Sequence, residues 1–233
     1  MSTELEWKYA VPNPAVLAEL PAWEGFAGLF DGPPRQYHMQ TVYLDTDDRR
    51  LTAENITLRR RMENQTSVVC CKAPLPGADP ASGKLRGEWE LAADDVAAAL
   101  PVLVERGAPE AILEAAAAGL APVCAADFLR TARPLRLPDG TTAELALDSG
   151  SLLGQIKTLP FCEVELELKS GDPEACRALI ESLAAARGLR VQPLSKYARA
   201  KRLPKARRGR QTPSAPFPVR RAFFREQGSG TRD

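Results

Sequence analysis

The chain has 233 residues, of which 44% are hydrophobic and 26% charged, the composition of a globular protein with one large domain or one and a half small ones. No apolar run approaches the roughly 20 residues a membrane helix needs, and the N-terminus lacks a signal-peptide pattern, so the expectation is a cytoplasmic protein with no membrane partner. The net charge of +1 hides a split: from Lys201 onward ten Lys or Arg face two Asp or Glu, whereas residues 1–200 hold 21 basic against 28 acidic groups.

Taken in chain order, the segment STELEWKYA at 2–10 alternates Glu4, Glu6 and Lys8 with Leu5, Trp7 and Tyr9, which is the period of a strand. YLDT at 43–46 is a short strand candidate, preceded by the only histidine, His38, which reads as structural. NITLRRRM at 55–62 places Thr57, Arg59 and Arg61 on one face, with Ile56, Leu58 and Met62 mostly on the other; SVVCCK ends on Lys72 in the same manner. APLPGADPASGK at 73–84 reads as a mobile loop. LRGEWELA then sets Arg86, Glu88 and Glu90 opposite Gly87, Trp89 and Leu91.

Two Ala-rich helices follow, over 91–107 and 108–119, as an insertion between strands. FLRTARPLRL at 128–137 is a second short strand candidate. AELALDSG aligns Glu144, Ala146 and Asp148; PFCEVELELK aligns Glu163, Glu165, Glu167 and Lys169. GDPEACRALIESLAAARGL at 171–189 predicts a helix with Asp172 as N-cap, Pro173 at the first position and Gly188 as stop. PLSKYARAKRL at 193–203 predicts a last short helix or turn. Residues 204–233 form a basic tail without apolar periodicity, expected to be disordered; solvation is its first reading and contact with a polyanion its second. Five cysteines without CxxC spacing read as free thiols in the core.

The strands therefore carry a charged face opposite an apolar one, repeatedly. A solvated sheet accounts for any one of them. Acidic runs such as Glu163, Glu165 and Glu167 place like charges on one face, which repel. A closed barrel offers the other arrangement: apolar sides outward under helices, charges inward, neutralised by cations and anions because unpaired buried charge is costly.

ELEWK resembles the Glu-x-Glu-x-Lys opening of the CYTH superfamily, the triphosphate tunnel metalloenzymes. The resemblance continues in the family's order through YLDTDDRRLTAENITLRRR, CCKAP, RGEWEL, FLRTARPLRL, ELALDSG, CEVELELKSGD and LSKYARAKRL, over roughly residues 3–203. The late block is similar to the bacterial inorganic triphosphatase branch, whose members often carry a C-terminal histidine-rich helical (CHAD) domain; the basic tail and single histidine lead to the expectation of a CYTH domain without one.

The resemblance implies an α+β fold: a closed eight-stranded antiparallel β-barrel, or tunnel, with a charged lumen and helices packed outside, in a domain spanning 1–203. It implies that Glu4, Glu6, Glu163 and Glu165 bind metal, with Glu90 and Asp148 beside them and Glu88 and Glu167 as nearby acids. Lys8, Arg59 and Arg61 are then catalytic, and Lys8, Arg59, Arg61, Lys72, Arg86, Arg130 and Lys196 hold the triphosphate. Arg133 competes with Arg130 for its place, and Arg199 is a further candidate.

The chemistry of the residues agrees. Carboxylates without Cys or His suit Mg²⁺ or Mn²⁺, and guanidinium groups on strands make bidentate phosphate clamps. There is no Walker A motif and no Ser-His-Asp or Cys-His set, which leaves a metal-polarised water as the nucleophile. The expected activity is hydrolysis of inorganic tripolyphosphate to pyrophosphate and phosphate. The alternatives are another triphosphate (ATP or thiamine triphosphate), adenylate cyclisation, or non-catalytic polyphosphate binding. Trp7 and Trp89 fall on apolar strand faces, so no stacking platform for a base is evident, and no nucleic acid is expected on the body of the protein.

Overall fold

The computed structural model describes residues 2–75 and 86–204. The loop expected over 73–84 lies outside them apart from its first three residues, and so does the tail from 205 onward. The strands are β1 (Ser2–Glu4), β2 (Glu6–Ala10), β3 (Arg35–Asp45), β4 (Thr57–Glu63), β5 (Thr66–Pro74), β6 (Arg86–Ala92), β7 (Ala121–Arg136), β8 (Thr142–Leu153), β9 (Thr158–Ser170) and β10 (Arg190–Val191). The helices are α1 (Pro14–Glu19), α2 (Arg50–Ala53), α3 (Val96–Glu105), α4 (Ala111–Ala118), α5 (Pro173–Arg187) and α6 (Lys196–Ala200), with 3-10 turns at Leu20–Ala22 and Glu24–Phe26. Among the described residues no helix is long and apolar enough to cross a membrane.

All ten strands form one antiparallel sheet in the order β1-β6-β5-β4-β3-β7-β8-β9-β2-β10. This is α+β, but it is an open ladder of ten strands where a closed barrel of eight was expected. The physical reason lies at Leu5. Residues 2–4 pair with β6, with Glu4 opposite Arg86, and residues 6–10 pair with β9, with Glu6 opposite Glu167. Leu5 sits between the two ladders, and its carbonyl accepts from Leu168 N at 2.9 Å. One N-terminal segment therefore counts as two strands, one at each side of the sheet, and the two-residue β10 extends the β2 side.

Strand alternation sorts the side chains as the sequence implies. Outward residues Leu58, Val69, Cys71 and Trp89 are buried under α3 and α4, which contribute Leu100, Leu103 and Ile112. Leu145, Val164 and Leu166 are buried under α1 and α5, which contribute Leu17, Ile180 and Leu183. Each such side chain contributes about 1.5–3 kcal/mol by leaving water. A third cluster, with Tyr43, Cys124, Phe128, Phe161 and Tyr197, packs the sheet against α6.

The helix ends follow their caps. Asp95 accepts from Ala97 N and Ala98 N at the start of α3. Asp172 accepts from Glu174 N at the start of α5, Pro173 follows, and Gly188 ends the helix with φ 62°. The two short strand candidates are longer than expected: β3 begins eight residues before YLDT, and β7 begins seven before FLRT. α1 and its 3-10 turns were not foreseen.

Gly150 marks the tightest backbone approach on the inner face. It pairs with Phe128 on β7 and Phe161 on β9, whose rings meet edge to face at 5.6 Å. A Cβ there would lie 2.3 Å from Asp127 O and 2.4 Å from Phe128 Cα, both backbone atoms. Gly150→Ala should therefore destabilise the fold by about 2–3 kcal/mol, lowering the midpoint of a thermal melt by roughly 5–10 °C.

Candidate active site

The inner faces of β2 through β9, together with α6, enclose a cavity of about 480 Å³. Its lining includes eight acidic and eight basic side chains, so the wall is charged throughout yet neutral as a whole. Ion pairs achieve this. On the β1-β6-β5-β4 side, Lys72 Nζ lies 2.6 Å from Glu4 and 3.1 Å from Glu88, Arg59 3.3 Å from Glu88, and Arg61 3.0 Å from Glu90. On the other side, Lys8 reaches Glu6 at 3.1 Å and Glu165 at 3.4 Å. Arg130 grips Asp148 with two nitrogens, at 2.8 and 2.7 Å, and Glu165 at 2.6 Å. Lys196, from α6, meets Asp148 at 2.7 Å and Glu165 at 3.0 Å, and also contacts Glu163.

These contacts govern protonation. Burial pushes the Lys8 ammonium down, but Glu165 and Glu6 outweigh it and hold its pKa above the ordinary lysine range. Lys196 is raised in the same way against burial, by Asp148, Glu163 and Glu165. Burial pushes Glu165 up, yet Lys196, Lys8 and Arg130 together hold it well below the usual carboxylate range. Burial also opposes ionisation of Glu88, and Lys72 and Arg59 overcome it, leaving the group at about 2. Glu163 goes the other way: burial raises it, Lys196 pulls it down, and the neighbouring Glu165 adds to the rise.

Lys8, Arg59, Arg61, Lys72, Arg86, Arg130 and Lys196 all line the cavity, and so do Glu4, Glu6, Glu88, Glu90, Glu165 and Glu167. Arg86 differs from the other bases in giving one nitrogen to the Lys72 carbonyl at 2.9 Å. Asp148 and Glu163 do not reach the cavity surface; both are fully buried behind Lys196, and Arg199 closes on Glu163 from α6. Between Arg130 and Arg133 the strand decides, because positions three apart face opposite sides. Arg130 lines the cavity, whereas Arg133 stands over the Phe30 ring at 3.4 Å. His38 bonds Asp127 at 2.6 Å on β3 and β7 and is not among the lining residues.

Glu63, Glu144 and Lys169 also line the cavity; Glu144 and Lys169 were read on charged faces without a role, and Glu63 was not noted. Their signal was present: Glu63 continues the period of Arg59 and Arg61, and Glu144 shares the face of Asp148. Register adds what spacing cannot. Glu6, Glu167 and Glu144 stand side by side on β2, β9 and β8.

The donor chemistry fits a hard divalent cation. Asp148, Glu163 and Glu165 each present an oxygen, all within 4.8 Å of one another, with no nitrogen or sulfur among them. A second group joins Cys70 to Glu88 and Glu90. There burial pushes the Cys70 thiol up to about 12, and it donates to Glu88 at 3.2 Å, so that group offers carboxylates only.

Two of the lining bases carry a buried donor without an acceptor. Arg59 and Arg61 each bury an Nε–H with no hydrogen-bond partner, although both guanidinium groups line the cavity. A buried unsatisfied donor costs about 1–3 kcal/mol until an acceptor arrives.

Comparison with known proteins places this architecture. The structure is similar to that of a putative adenylyl cyclase from Hippeastrum, HpAC1, described as revealing a dominant triphosphatase activity: TM-score 0.55, 19% identity, over 84% of this chain and 93% of that one. It is also similar to a putative adenylate cyclase from Bacillus halodurans: TM-score 0.51, 19% identity, over 84% and 96%. At that identity the likeness is one of fold. The model of the CYTH domain matches residues 2–200, from the first strand to the last residue of α6. With both walls of the cavity inside that match, the chain belongs to the CYTH family.

Proposed function

We propose that this chain is a metal-dependent inorganic triphosphatase that hydrolyses tripolyphosphate to pyrophosphate and phosphate, and that its N-terminal segment, by pairing with both β6 and β9, closes the sheet into a tunnel around the substrate. The observation that carries the reading is that Arg59 and Arg61 line the cavity and each keep one buried Nε–H without an acceptor, while their terminal nitrogens are held by Glu88 and Glu90. Phosphate oxygens are the acceptors such donors match in geometry and charge.

The neutral wall explains how the residues would act. Arg59, Arg61, Lys72, Lys8, Arg130 and Lys196 give up carboxylates for phosphoryl oxygens, and the carboxylates they leave need a cation in return. Glu4, Glu6 and Glu90 at the surface, with Glu165 above Asp148 and Glu163, would hold Mg²⁺ or Mn²⁺. Such a cation supplies charge neutralisation and a lowered pKa for water. The bases, fixed on strands, align the chain of phosphates and neutralise the charge that spreads over the transferred group. Because burial strengthens every pair, this exchange is available only to a ligand that brings both signs of charge, as a metal–polyphosphate salt does.

The apolar part of the lining favours an inorganic substrate. Of the apolar lining residues, Met39, Tyr43, Phe128 and Tyr197 are buried in the packing of α6, which leaves Tyr37, half-buried, as the one ring among the described residues at the cavity outside that buried cluster. Trp89 is buried against α3, with its indole N–H on the Arg106 carbonyl at 3.1 Å.

Three outcomes are expected. In competition at equal concentration with Mg²⁺ or Mn²⁺, tripolyphosphate should be consumed with a specificity constant at least about tenfold above that of ATP; consumption of ATP first, or accumulation of cyclic AMP, refutes the substrate assignment. Glu6→Gln keeps shape and removes charge, so turnover should fall on the order of a hundredfold while circular dichroism stays that of the parent.

The third concerns pH. Glu88 is held at about 2 in the fold against an ordinary 4.5, so its ion pairs stabilise the protein above pH 4.5 and cease to do so as pH falls toward 2. Glu88→Gln should therefore be less stable than the parent in urea titrations at pH 7, with the difference shrinking at pH 3. An equal difference at both pH values would show that the charge of Glu88 is not what stabilises that wall.

A further inference from the structure

The cavity depends on α6 for Lys196, yet α6 has only five residues. A helix that short does not hold itself in water. Its own cap is a single bond, Ser195 Oγ accepting from Ala198 N at 3.1 Å. On the inner side it is tied by the ion pairs of Lys196 and Arg199 to Asp148, Glu163 and Glu165. Those are the contacts that a phosphate ligand would take over.

The outer side holds a different kind of tie. Asp45, the last residue of β3, is fully buried and accepts four hydrogen bonds: from Thr46 N at 2.8 Å, Leu51 N at 3.0 Å, Thr52 N at 3.2 Å and Thr52 Oγ1 at 2.7 Å. A carboxylate only accepts. The Thr52 hydroxyl proton is therefore committed to Asp45, and the Thr52 oxygen, 2.7 Å from Tyr197 Oη, is left as the acceptor. Tyr197 must donate. Its ring also lies against Tyr43 of the cavity wall, with centroids 5.0 Å apart. The direction of every proton in the chain from Tyr197 to Asp45 is thus fixed, and none of these bonds involves an ion pair of the cavity.

We propose that Asp45 and Thr52 are positioning residues: through Tyr197 they latch α6 to the end of β3, so that Lys196 stays at the cavity when its ionic partners exchange for ligand. The proposal rests on the triphosphatase reading for its kinetic consequence but not for the latch itself. Within the motif YLDTDDRRLT, Asp45 and Thr52 are not among the residues that line the cavity; they act through a helix about 145 residues later, the separation of Thr52 and Tyr197.

The test uses the full chain with Thr52→Val, Thr52→Ser and Tyr197→Phe. Thr52→Val and Tyr197→Phe should each speed hydrogen exchange of the amides at 197–201 by about tenfold, with those of β8 and β9 unchanged. In phosphate-release assays on tripolyphosphate with Mg²⁺, both should raise KM by about fivefold with little change in kcat. Thr52→Ser, which keeps the hydroxyl, should restore both readouts. The double variant Thr52→Val with Tyr197→Phe should be no worse than Thr52→Val alone, which already removes the Tyr197 bond together with its own bond to Asp45. Unchanged exchange at α6, additive effects in the double variant, or faster exchange with an unchanged KM would each overturn the proposal. A parent protein without activity on tripolyphosphate would refute the triphosphatase reading, and the exchange measurement would still decide the latch.

Discussion

The cost of burying charge governs this protein. Sixteen ionisable side chains share one enclosed surface, and any of them left alone there would be driven toward its neutral form or would pull the sheet apart. The strands answer by pairing opposite signs both along and across the ladder. Lys8 stands opposite Glu165, and Arg130 opposite Asp148, so register itself makes the pairs. Outside, the same alternation presents an apolar surface that the helices cover. One period of two thus builds the core on one side of each strand and the chemistry on the other.

Much of this was legible in the sequence because period two is a local property. Counting placed Arg59 with Arg61, Glu88 with Glu90, and Glu165 with its neighbours on shared charged faces, the resemblance turned those faces inward, and in the structure all five residues line the cavity. The ends of α5 were legible for a similar reason, since a cap acts within one turn. Spacing could not reveal depth. Asp148 and Glu163 lie on inward faces, but a helix from the far end of the body covers them with Lys196 and Arg199, and nothing within their own strands foretells it. Nor could spacing show that Leu5 divides one strand between two partners, because its consequence depends on residues near 86 and 167. β3 and the first half of β7 were under-read because their inner faces carry Tyr37, Met39, Thr41 and Phe128, with charge returning on β7 only at Arg130.

The two sides of the molecule differ in how they can respond to a ligand. The outer clusters are close-packed and gain nothing by moving. The cavity wall is a set of exchangeable ion pairs, with two guanidinium donors already unsatisfied. Rearrangement is therefore confined to side chains, while the backbone that aims them is fixed by long ladders: β7, β8 and β9 pair over a dozen residues each.

The divided N-terminal segment also has a consequence for how the chain comes to its fold. Glu6 pairs with Glu167, 161 positions later. At ribosomal speeds, that partner is made roughly 8–30 seconds after Glu6. Until then residues 6–10 carry unpaired backbone and an alternating apolar face, Trp7 and Tyr9, among other chains during synthesis or refolding. Non-local pairing of this kind slows folding and leaves an edge open to other chains. Glu6 and Lys8 put charge on that edge during the wait, and charge on an open edge disfavours its pairing with other chains.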